Sequence, residues 1–166
     1  LSLDRPKPRV EVMGRPIIDH ILDHLRRVGV FHVVINLHHC GDVLRDHLHN
    51  VGDMQIVFSE EDTLLDTGGG LQQGLRYMSD PTRPFYAING DAFWQEDNTL
   101  LQLHAAWNEH AMDVLLLLQE TARMDLTQGV GDYKFINPNQ PVRCPDRDGT
   151  HMFTGIRIMH PRVLNR

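Results

Sequence analysis

The chain has 166 residues, a formal net charge of −6 at pH 7 and an apolar content of 41%. This length predicts one domain that buries a core without disulfide or metal support, and the acidic balance argues against a nucleic-acid-binding surface. No apolar run approaches the roughly 20 residues that cross a bilayer. The two cysteines, Cys40 and Cys144, lack C-x-x-C spacing. We therefore expect a cytoplasmic protein with reduced thiols and no membrane or nucleic-acid partner.

The first part of the chain alternates helices with strands. Apolar residues at helical spacing over residues 16–28 predict a helix that ends at Gly29. A β-branched run over residues 30–37 predicts a buried strand. A second helix over 42–49 and a strand over 54–59 follow. This alternation is typical of a parallel sheet flanked by helices.

Two histidines of the first helix, His20 and His24, are four residues apart, as zinc ligands can be. They lack the glutamate of a metalloprotease helix and lie on the face that carries the polar residues. We therefore expect both side chains to be solvated.

The rest of the chain continues the alternation and then changes character. We predict helix 71–78, a strand from residue 85, helix 98–110 and strand 113–119. A β-hairpin through the Asn137-Pro138-Asn139 turn and a strand over 152–158 follow these elements. Because no linker or repeat interrupts the pattern, we expect a single α/β domain over residues 1–166.

The segment from Pro84 to Asp91 is a short apolar strand that stops at a glycine and then presents a carboxylate. In open α/β sheets, ligands bind beyond the carboxyl ends of the strands, so Asp91 is placed for chemistry. A hard cation prefers carboxylate oxygen at such an edge. An ordinary Gly-Asp turn and a helix N-cap are the alternatives.

Two other segments have features of ligand-binding loops. Lys7 stands between Pro6 and Pro8, which fix φ and exclude helix around it, so the flexible ammonium becomes a positioned one. Gly68-Gly69-Gly70 precedes a predicted helix and allows main chain to approach a base or a phosphate closely. A solvated loop lysine and a flexible turn are the alternatives.

Together these segments resemble the sugar-phosphate nucleotidyltransferase family, and within it a small, single-domain branch of uridylyltransferases and guanylyltransferase-like proteins. The resemblance covers essentially the whole chain and implies a Rossmann-like (GT-A-like) α/β/α sandwich with a mostly parallel sheet and a small β-hairpin region. The matching segments are Arg5-Pro6-Lys7-Pro8, Gly14-Arg15-Pro16-Ile17-Ile18-Asp19-His20, Val34-Ile35-Asn36-Leu37-His38-His39, Leu65-Asp66-Thr67-Gly68-Gly69-Gly70, Asn89-Gly90-Asp91, Gly131-Asp132-Tyr133 and Phe153-Thr154-Gly155-Ile156.

The resemblance implies transfer of a nucleotidyl group from a nucleoside triphosphate to a sugar 1-phosphate, with Mg2+ as cofactor, for cell-wall or polysaccharide precursors. The Thr67-Gly68-Gly69-Gly70 form favours UTP over GTP. The implied catalytic residues are Lys7 and Asp91, of which Asp91 binds the metal. The implied nucleotide-binding residues are Arg5, Lys7, Asn36, Thr67, Gly68 and Gly69. The implied sugar-binding residues are Asn89, Gly131, Asp132 and Gly155.

The chain also departs from the family pattern. Family members carry a strand and a glycine-rich loop with an arginine before the Pro-Lys-Pro segment, and a second metal-binding aspartate after the Gly155-Ile156 segment. Neither lies within residues 1–166, so we expect a nucleotidyltransferase domain that is incomplete at both ends. Two alternatives stay open: a non-catalytic regulatory homologue that binds nucleotide sugars, and a metal-dependent glycosyltransferase. The latter usually carries Asp-x-Asp, where this chain has Asp91-Ala92-Phe93.

Overall fold

Helices and strands alternate along the computed structural model, which describes residues 6–37, 41–60, 65, 67–124, 131–137 and 140–165. The helices are α1 (Ile17–Arg27), α2 (Gly41–Leu48), α3 (Thr67–Gly74) and α4 (Thr99–Ala106). The strands are β1 (Glu11–Val12), β2 (Arg15–Pro16), β3 (His32–Leu37), β4 (Gln55–Glu60), β5 (Phe85–Ile88), β6 (Val114–Glu120), β7 (Tyr133–Asn137), β8 (Gln140–Arg143) and β9 (His151–Met159). Within the described residues, no helix is long and apolar enough to span a bilayer.

Helix α1 supplies much of the core. Its apolar stripe is buried, with Leu22 only 1% exposed, and it packs with α4 and with β9 residues Ile156 and Ile158 in one cluster. The helix ends at Arg27, with Val28 as its C-cap, and the predicted stop residue Gly29 follows with a φ of 75° that favours glycine. Arg26 joins the end of the helix to the loop between α2 and β4 through a bidentate pair with Asp53 (2.6 and 2.9 Å).

Helix α3 begins earlier than the sequence predicts. It covers Thr67–Gly74 and continues as a 3₁₀ turn over Leu75–Tyr77, whereas the prediction was helix 71–78. A glycine run disfavours helix in isolation, but here tertiary packing outweighs that propensity. A Cβ on Gly74 would lie 3.3 Å from Asn36 Oδ1 and 3.6 Å from Val34 Cγ1, so the missing side chain lets α3 approach β3 closely.

Helix α4 is shorter than predicted because Trp107 has an extended backbone (ψ 133°) and ends the helix at Ala106. The predicted helix 98–110 was therefore wrong at its carboxyl end. In the turn that leads to β6, the Asn108 carbonyl accepts hydrogen bonds from the amides of Ala111 and Met112. Trp107 itself packs against the core cluster, which explains why the chain turns there instead of extending the helix into solvent.

The strands form parallel and antiparallel pairs. β3 and β4 are parallel over their full length. β9 runs antiparallel to β5 and to β6, so these two strands run in the same direction on opposite edges of β9. β6 pairs with both halves of β9 and so fills one edge of that strand. β7 therefore pairs with β9 on the other edge, which it shares with β5, and the pairing is at Tyr133↔His151. The predicted hairpin, β7–β8, therefore lies beyond the carboxyl end of β5. The pattern gave no direction for β9.

Close backbone packing between two glycines holds this hairpin in place. Gly131 and Gly149 approach backbone to backbone, and the Gly149 amide donates to the Gly131 carbonyl (2.9 Å). A Cβ on Gly131 would overlap the carbonyl oxygen of Gly149. The pair therefore needs two residues without side chains.

We predict that Gly131→Ala lowers the free energy of unfolding by about 2 kcal/mol or more, because the new methyl group overlaps backbone that has no room to move. The matched control is Gly52→Ala, where a Cβ would meet nothing within 4 Å. We expect that change to be within about 1 kcal/mol of neutral. Urea unfolding of both variants makes the comparison, and equal stabilities would contradict the argument.

Candidate functional site

Asp91 stands on a tight turn just beyond the carboxyl end of β5. The Ala92 amide donates to the Asn89 carbonyl (3.0 Å) and closes the turn, while the Asn89 amide donates to the Gly155 carbonyl of β9 (2.9 Å). Asp91 therefore lies where open α/β sheets bind their ligands. Its side chain is 46% exposed. The turn is fixed, and the carboxylate at its tip is accessible.

The Lys7 segment packs directly on this turn. The prediction that Pro6 and Pro8 exclude helix around Lys7 was wrong, because Lys7–Arg9 forms one 3₁₀ turn after the extended Pro6. A Cβ on Gly90 would lie 2.8 Å from Pro8 Cγ, so glycine is needed for this approach. The Lys7 Nζ donates to Asp91 Oδ2 at 3.2 Å. Two residues predicted to be catalytic are thus in contact across 84 positions of sequence.

The ion pair between Lys7 and Asp91 is weak because both side chains are exposed to solvent. Both side chains are well exposed, at 62% and 46%. Exposed ion pairs contribute at most about 1 kcal/mol, because water and salt screen the charges. The Lys7 ammonium can therefore exchange the Asp91 carboxylate for a phosphate oxygen at a small cost in free energy.

The residues predicted to bind sugar converge on one edge of β9. Between Leu116↔Arg157 and Leu118↔Phe153, β6 advances two residues while β9 advances four, so β9 bulges around Gly155. Gly155 has a φ of +83°, and a Cβ there would lie within 3.0 Å of Asn89. Bulges are frequent beside active sites, where they redirect side chains.

Asp132 and Gly131 lie farther along the same edge. The Phe153 amide donates to Asp132 Oδ2 (2.9 Å), and Arg147 Nε lies 3.4 Å from Asp132 Oδ1. The Asp132 carboxylate therefore braces the hairpin onto β9. Gly131 has its own packing role against Gly149. Sugar binding by these two residues stays a prediction.

The residues predicted to bind nucleotide do not all meet at one point. Asn36 lies beside Gly74, the last residue of α3, whereas Thr67, Gly68 and Gly69 lie at the start of that helix. Lys7 contacts Asp91 instead. Asn36 is exposed near the carboxyl end of β3, with its Oδ1 beside Gly74. Thr67, Gly68 and Gly69 form the first turn of α3. Arg5 lies outside the described residues.

The segment after Asp91 is anchored on α1, which the sequence analysis did not predict. Ala92 is buried, the Phe93 ring meets His20 edge-on (5.2 Å between centroids), and the Trp94 ring stacks on His24 (4.3 Å). The expectation that His24 is solvated was wrong, because it is only 6% exposed. Its spacing from Ile17 and Ile21 already matched the buried stripe and would have revealed this.

The surroundings of His24 favour the neutral form of its ring. Its Nε2 donates to the Trp94 carbonyl (3.2 Å), and its buried Nδ1 has no hydrogen-bond partner among the described residues. Burial lowers the pKa of His24 below its ordinary value of 6.5. A proton on Nδ1 would place an unpartnered donor and a charge under the loop that carries Asp91.

Asp91 is the one described residue that we predicted as a metal ligand. Within the described ranges, no group of three or more His, Cys, Asp or Glu side chains could hold a metal ion. A cation at Asp91 would therefore not be held by a cluster of three such side chains from the described part of the chain. Mg2+ suits this arrangement, since it commonly binds one or two carboxylates together with substrate phosphates and keeps several waters.

Comparison with known proteins agrees with this geometry. Residues 2–160 match the model of the MobA-like NTP transferase domain. An N-acetylmuramate alpha-1-phosphate uridylyltransferase of Caulobacter vibrioides is 30% identical, over 98% of this chain and 70% of that protein. A mannose-1-phosphate guanyltransferase of Hypocrea jecorina is 27% identical over the whole chain, which spans about half (47%) of that relative.

Solved structures show the same fold. HddC from Yersinia pseudotuberculosis complexed with GMP-PN has a TM-score of 0.72 at 20% identity, covering 99% of this chain and 71% of that one. The inositol-1-phosphate CTP transferase from T. maritima has a TM-score of 0.75 at 20% identity, covering 98% and 64%. These likenesses confirm the expected Rossmann-like nucleotidyltransferase fold.

We predict that stability falls with pH below 6.5 more steeply in the wild type than in His24→Phe. Because the folded state holds His24 with a lowered pKa, the unfolded state binds the proton more readily. Stability is therefore lost as pH falls from 6.5 toward the folded-state pKa and levels off below it. Phenylalanine keeps the stack on Trp94 without a titrating group. Urea unfolding across pH 4.5–8, about the range in which histidine titrates, gives both profiles, and parallel curves would contradict the prediction.

Proposed function

Because this chain belongs to the MobA-like NTP transferase domain family, we propose that it transfers a nucleotidyl group from a nucleoside triphosphate to a sugar 1-phosphate. The observation that carries the proposal is the contact between Lys7 and Asp91 beyond the carboxyl end of β5 (3.2 Å). It brings one accessible cation and one accessible carboxylate to the point where a triphosphate would bind. Chemistry on phosphates needs both kinds of group.

The reaction needs no protein base. An oxygen of the sugar 1-phosphate forms a bond to the α-phosphorus of the triphosphate. The bond from that phosphorus to the oxygen shared with the β-phosphate breaks, and pyrophosphate leaves with the electron pair. Because the attacking oxygen is already anionic, catalysis rests on alignment of the reactants and on neutralisation of charge.

Lys7 and Asp91 take complementary roles in this scheme. When the substrates bind, the Lys7 ammonium exchanges Asp91 for a phosphate oxygen and stabilises the negative charge that builds there. Asp91 would then be free to hold a divalent cation. A bound Mg2+ would supply charge neutralisation and fix the orientation of the phosphates.

UTP is the proposed nucleotide, with GTP as the alternative. Two relatives named N-acetylmuramate alpha-1-phosphate uridylyltransferase are 30% and 29% identical to this chain, and guanyltransferase relatives are 25–28% identical. The Thr67-Gly68-Gly69-Gly70 turn supports the same choice. We place Arg5, Asn36 and this turn at the nucleotide, and Asn89, Gly131, Asp132 and Gly155 at the sugar. Residues 1–166 would belong to one nucleotidyltransferase domain, incomplete at both ends, of an enzyme that makes cytoplasmic precursors of cell wall or polysaccharide.

The surroundings of Asp91 favour this activity over glycosyl transfer from a metal-bound nucleotide sugar. The position two residues after Asp91 is Phe93, whose ring packs against His20, and Ala92 between them is buried in the core. No second carboxylate therefore completes an Asp-x-Asp pair on this turn. We accordingly keep nucleotidyl transfer as the single proposed function.

We predict that Asp91→Asn in the full-length protein lowers kcat for pyrophosphate release about 10²-fold or more, because the amide loses the charge that faces the metal. The matched control is Asp46→Asn, an exposed aspartate of α2, which should retain wild-type rates. The assay uses UTP or GTP with a set of sugar 1-phosphates. Magnesium-dependent turnover by Asp91→Asn at the wild-type rate would remove Asp91 from the mechanism.

We also predict that Gly90→Ala lowers kcat about tenfold or more, because the new methyl group would lie 2.8 Å from Pro8 Cγ and displace Lys7 from Asp91. The second change Pro8→Ala removes the overlap, so Gly90→Ala/Pro8→Ala should recover part of the loss. Thermal unfolding checks that each variant is folded. Full activity of Gly90→Ala would show that the contact between the two segments has no catalytic role.

A further inference from the structure

Arg157 is a buried charge that the proposed reaction does not use. It lies in the middle of β9, opposite Ala87 of β5 and Leu116 of β6, and only 7% of its surface is exposed. Its Nε donates to Met159 Sδ (3.2 Å), and its guanidinium lies over the Phe153 ring (5.5 Å to the centroid). No described carboxylate forms an ion pair with it, although a buried cation usually needs one.

The polar oxygen that Arg157 does reach belongs to Asn89. Its Nη1 lies 3.5 Å from Asn89 Oδ1, at the outer limit of a hydrogen bond. The guanidinium therefore extends from the middle of β9 toward the turn that carries Asp91. Asn89, which is exposed, separates this buried charge from the open end of β5.

Asn89 has little freedom to turn its side chain. Its backbone is held by the Gly155 carbonyl and by the Ala92 amide. A Cβ on Gly155 would lie 2.9 Å from Asn89 Cβ and 3.0 Å from its Cγ and Nδ2, so the amide group lies flat against the bulge of β9. Two orientations of that amide would occupy nearly the same volume, and they differ only in exchanging Oδ1 with Nδ2.

The guanidinium decides between these two orientations. Arginine has five N–H donors and no acceptor, so the atom that faces it must be the oxygen of the amide. The NH₂ group of Asn89 is then directed away from Arg157, over Gly155. An amide with the opposite orientation would set donor against donor next to a buried charge.

We propose that Arg157 is a positioning residue that fixes the amide of Asn89, so that its Nδ2 donates a hydrogen bond to an oxygen of the bound sugar 1-phosphate. The inference rests on the proposed function for its substrate. A buried arginine with no acidic partner among the described residues then has a role, because its charge orients a neighbour at the site. It also gives Asn89 a defined chemical role, that of a donor to a hydroxyl or phosphate oxygen.

The kinetic test compares Arg157→Met with Arg157→Lys in the full-length enzyme. Methionine removes the donors and frees the amide, so KM for the sugar 1-phosphate should rise about tenfold, as expected for loss of one oriented hydrogen bond. KM for the triphosphate should change less than about twofold, because Asn89 does not contact it in this account. Lysine is again a pure donor and should recover most of the effect. Arg83→Met, on the exposed loop before β5, is the matched control and should be unchanged.

A stability cycle tests the orientation without any turnover. Asn89→Asp places an anionic oxygen against Arg157, so this change should preserve or raise the melting temperature in the wild-type background. The same change should lower it in the Arg157→Met background, where the new charge faces apolar groups. Equal shifts in the two backgrounds would show that Arg157 does not select the oxygen of Asn89.

The outcomes separate this inference from the proposed function. An active wild type whose KM for the sugar 1-phosphate is unaffected by Arg157→Met overturns the role of Arg157 alone. A rise in the KM of the triphosphate instead assigns the Asn89 donor to the other substrate and overturns the inference as stated. Absence of turnover by the wild type, with UTP or GTP and mannose, glucose or N-acetylmuramate 1-phosphate, overturns the proposed function, and the stability cycle then decides the orientation of Asn89.

Discussion

The close packing of backbone around the end of β5 is the constraint on which the rest of the site depends. The turn from Asn89 to Ala92 is held on three sides, each by a contact that tolerates little change. Gly155 faces Asn89, Pro8 faces Gly90, and α1 receives the segment that follows Asp91. Glycine is required at two of these contacts, because a Cβ would lie within 3.0 Å of the neighbouring residue. The backbone of Asp91 is thereby fixed, although its carboxylate is exposed to solvent.

Fixed backbone and exchangeable charge have separate physical sources here. The backbone is determined by core packing, in which displaced atoms have no alternative place to go. The charges of Lys7 and Asp91 stay in water, where their mutual attraction is small. A site that must release one partner and accept a triphosphate benefits from both properties. Arg157 differs from these residues because its charge is buried and its effect is exerted through Asn89.

The sequence was sufficient to predict the elements that have a local pattern. The stripe of α1, the β-branched run of β3 and the apolar strand that ends before Asn89 each carry their own periodicity, and their positions agree with the structure to within about two residues. The family resemblance implied a catalytic role for both Lys7 and Asp91, but their contact is a finding of the structure, since no local rule connects positions 84 apart. The catalytic roles of both residues are proposals.

Features that depend on tertiary packing were not predicted. From sequence, the glycines at the start of α3 were predicted to form a loop, but the helix packs on β3. His24 was predicted to be solvated, but Trp94 covers it. Arg157 gave no signal at all, because an arginine between two isoleucines in a strand is equally compatible with an edge position facing solvent. The antiparallel course of β9, which buries it, is a property of the sheet as a whole.

The most direct test of the account is to locate the metal-bound nucleotide on the full-length protein by NMR. Mn²⁺ added with UTP, or with GTP if UTP does not bind, broadens the backbone amide signals of residues close to the ion. We expect the strongest broadening at Asn89, Gly90 and Asp91, and loss of that pattern in Asp91→Asn. Broadening centred elsewhere, with the signals of this turn unaffected, would contradict the claim that the end of β5 is the nucleotidyl-transfer site.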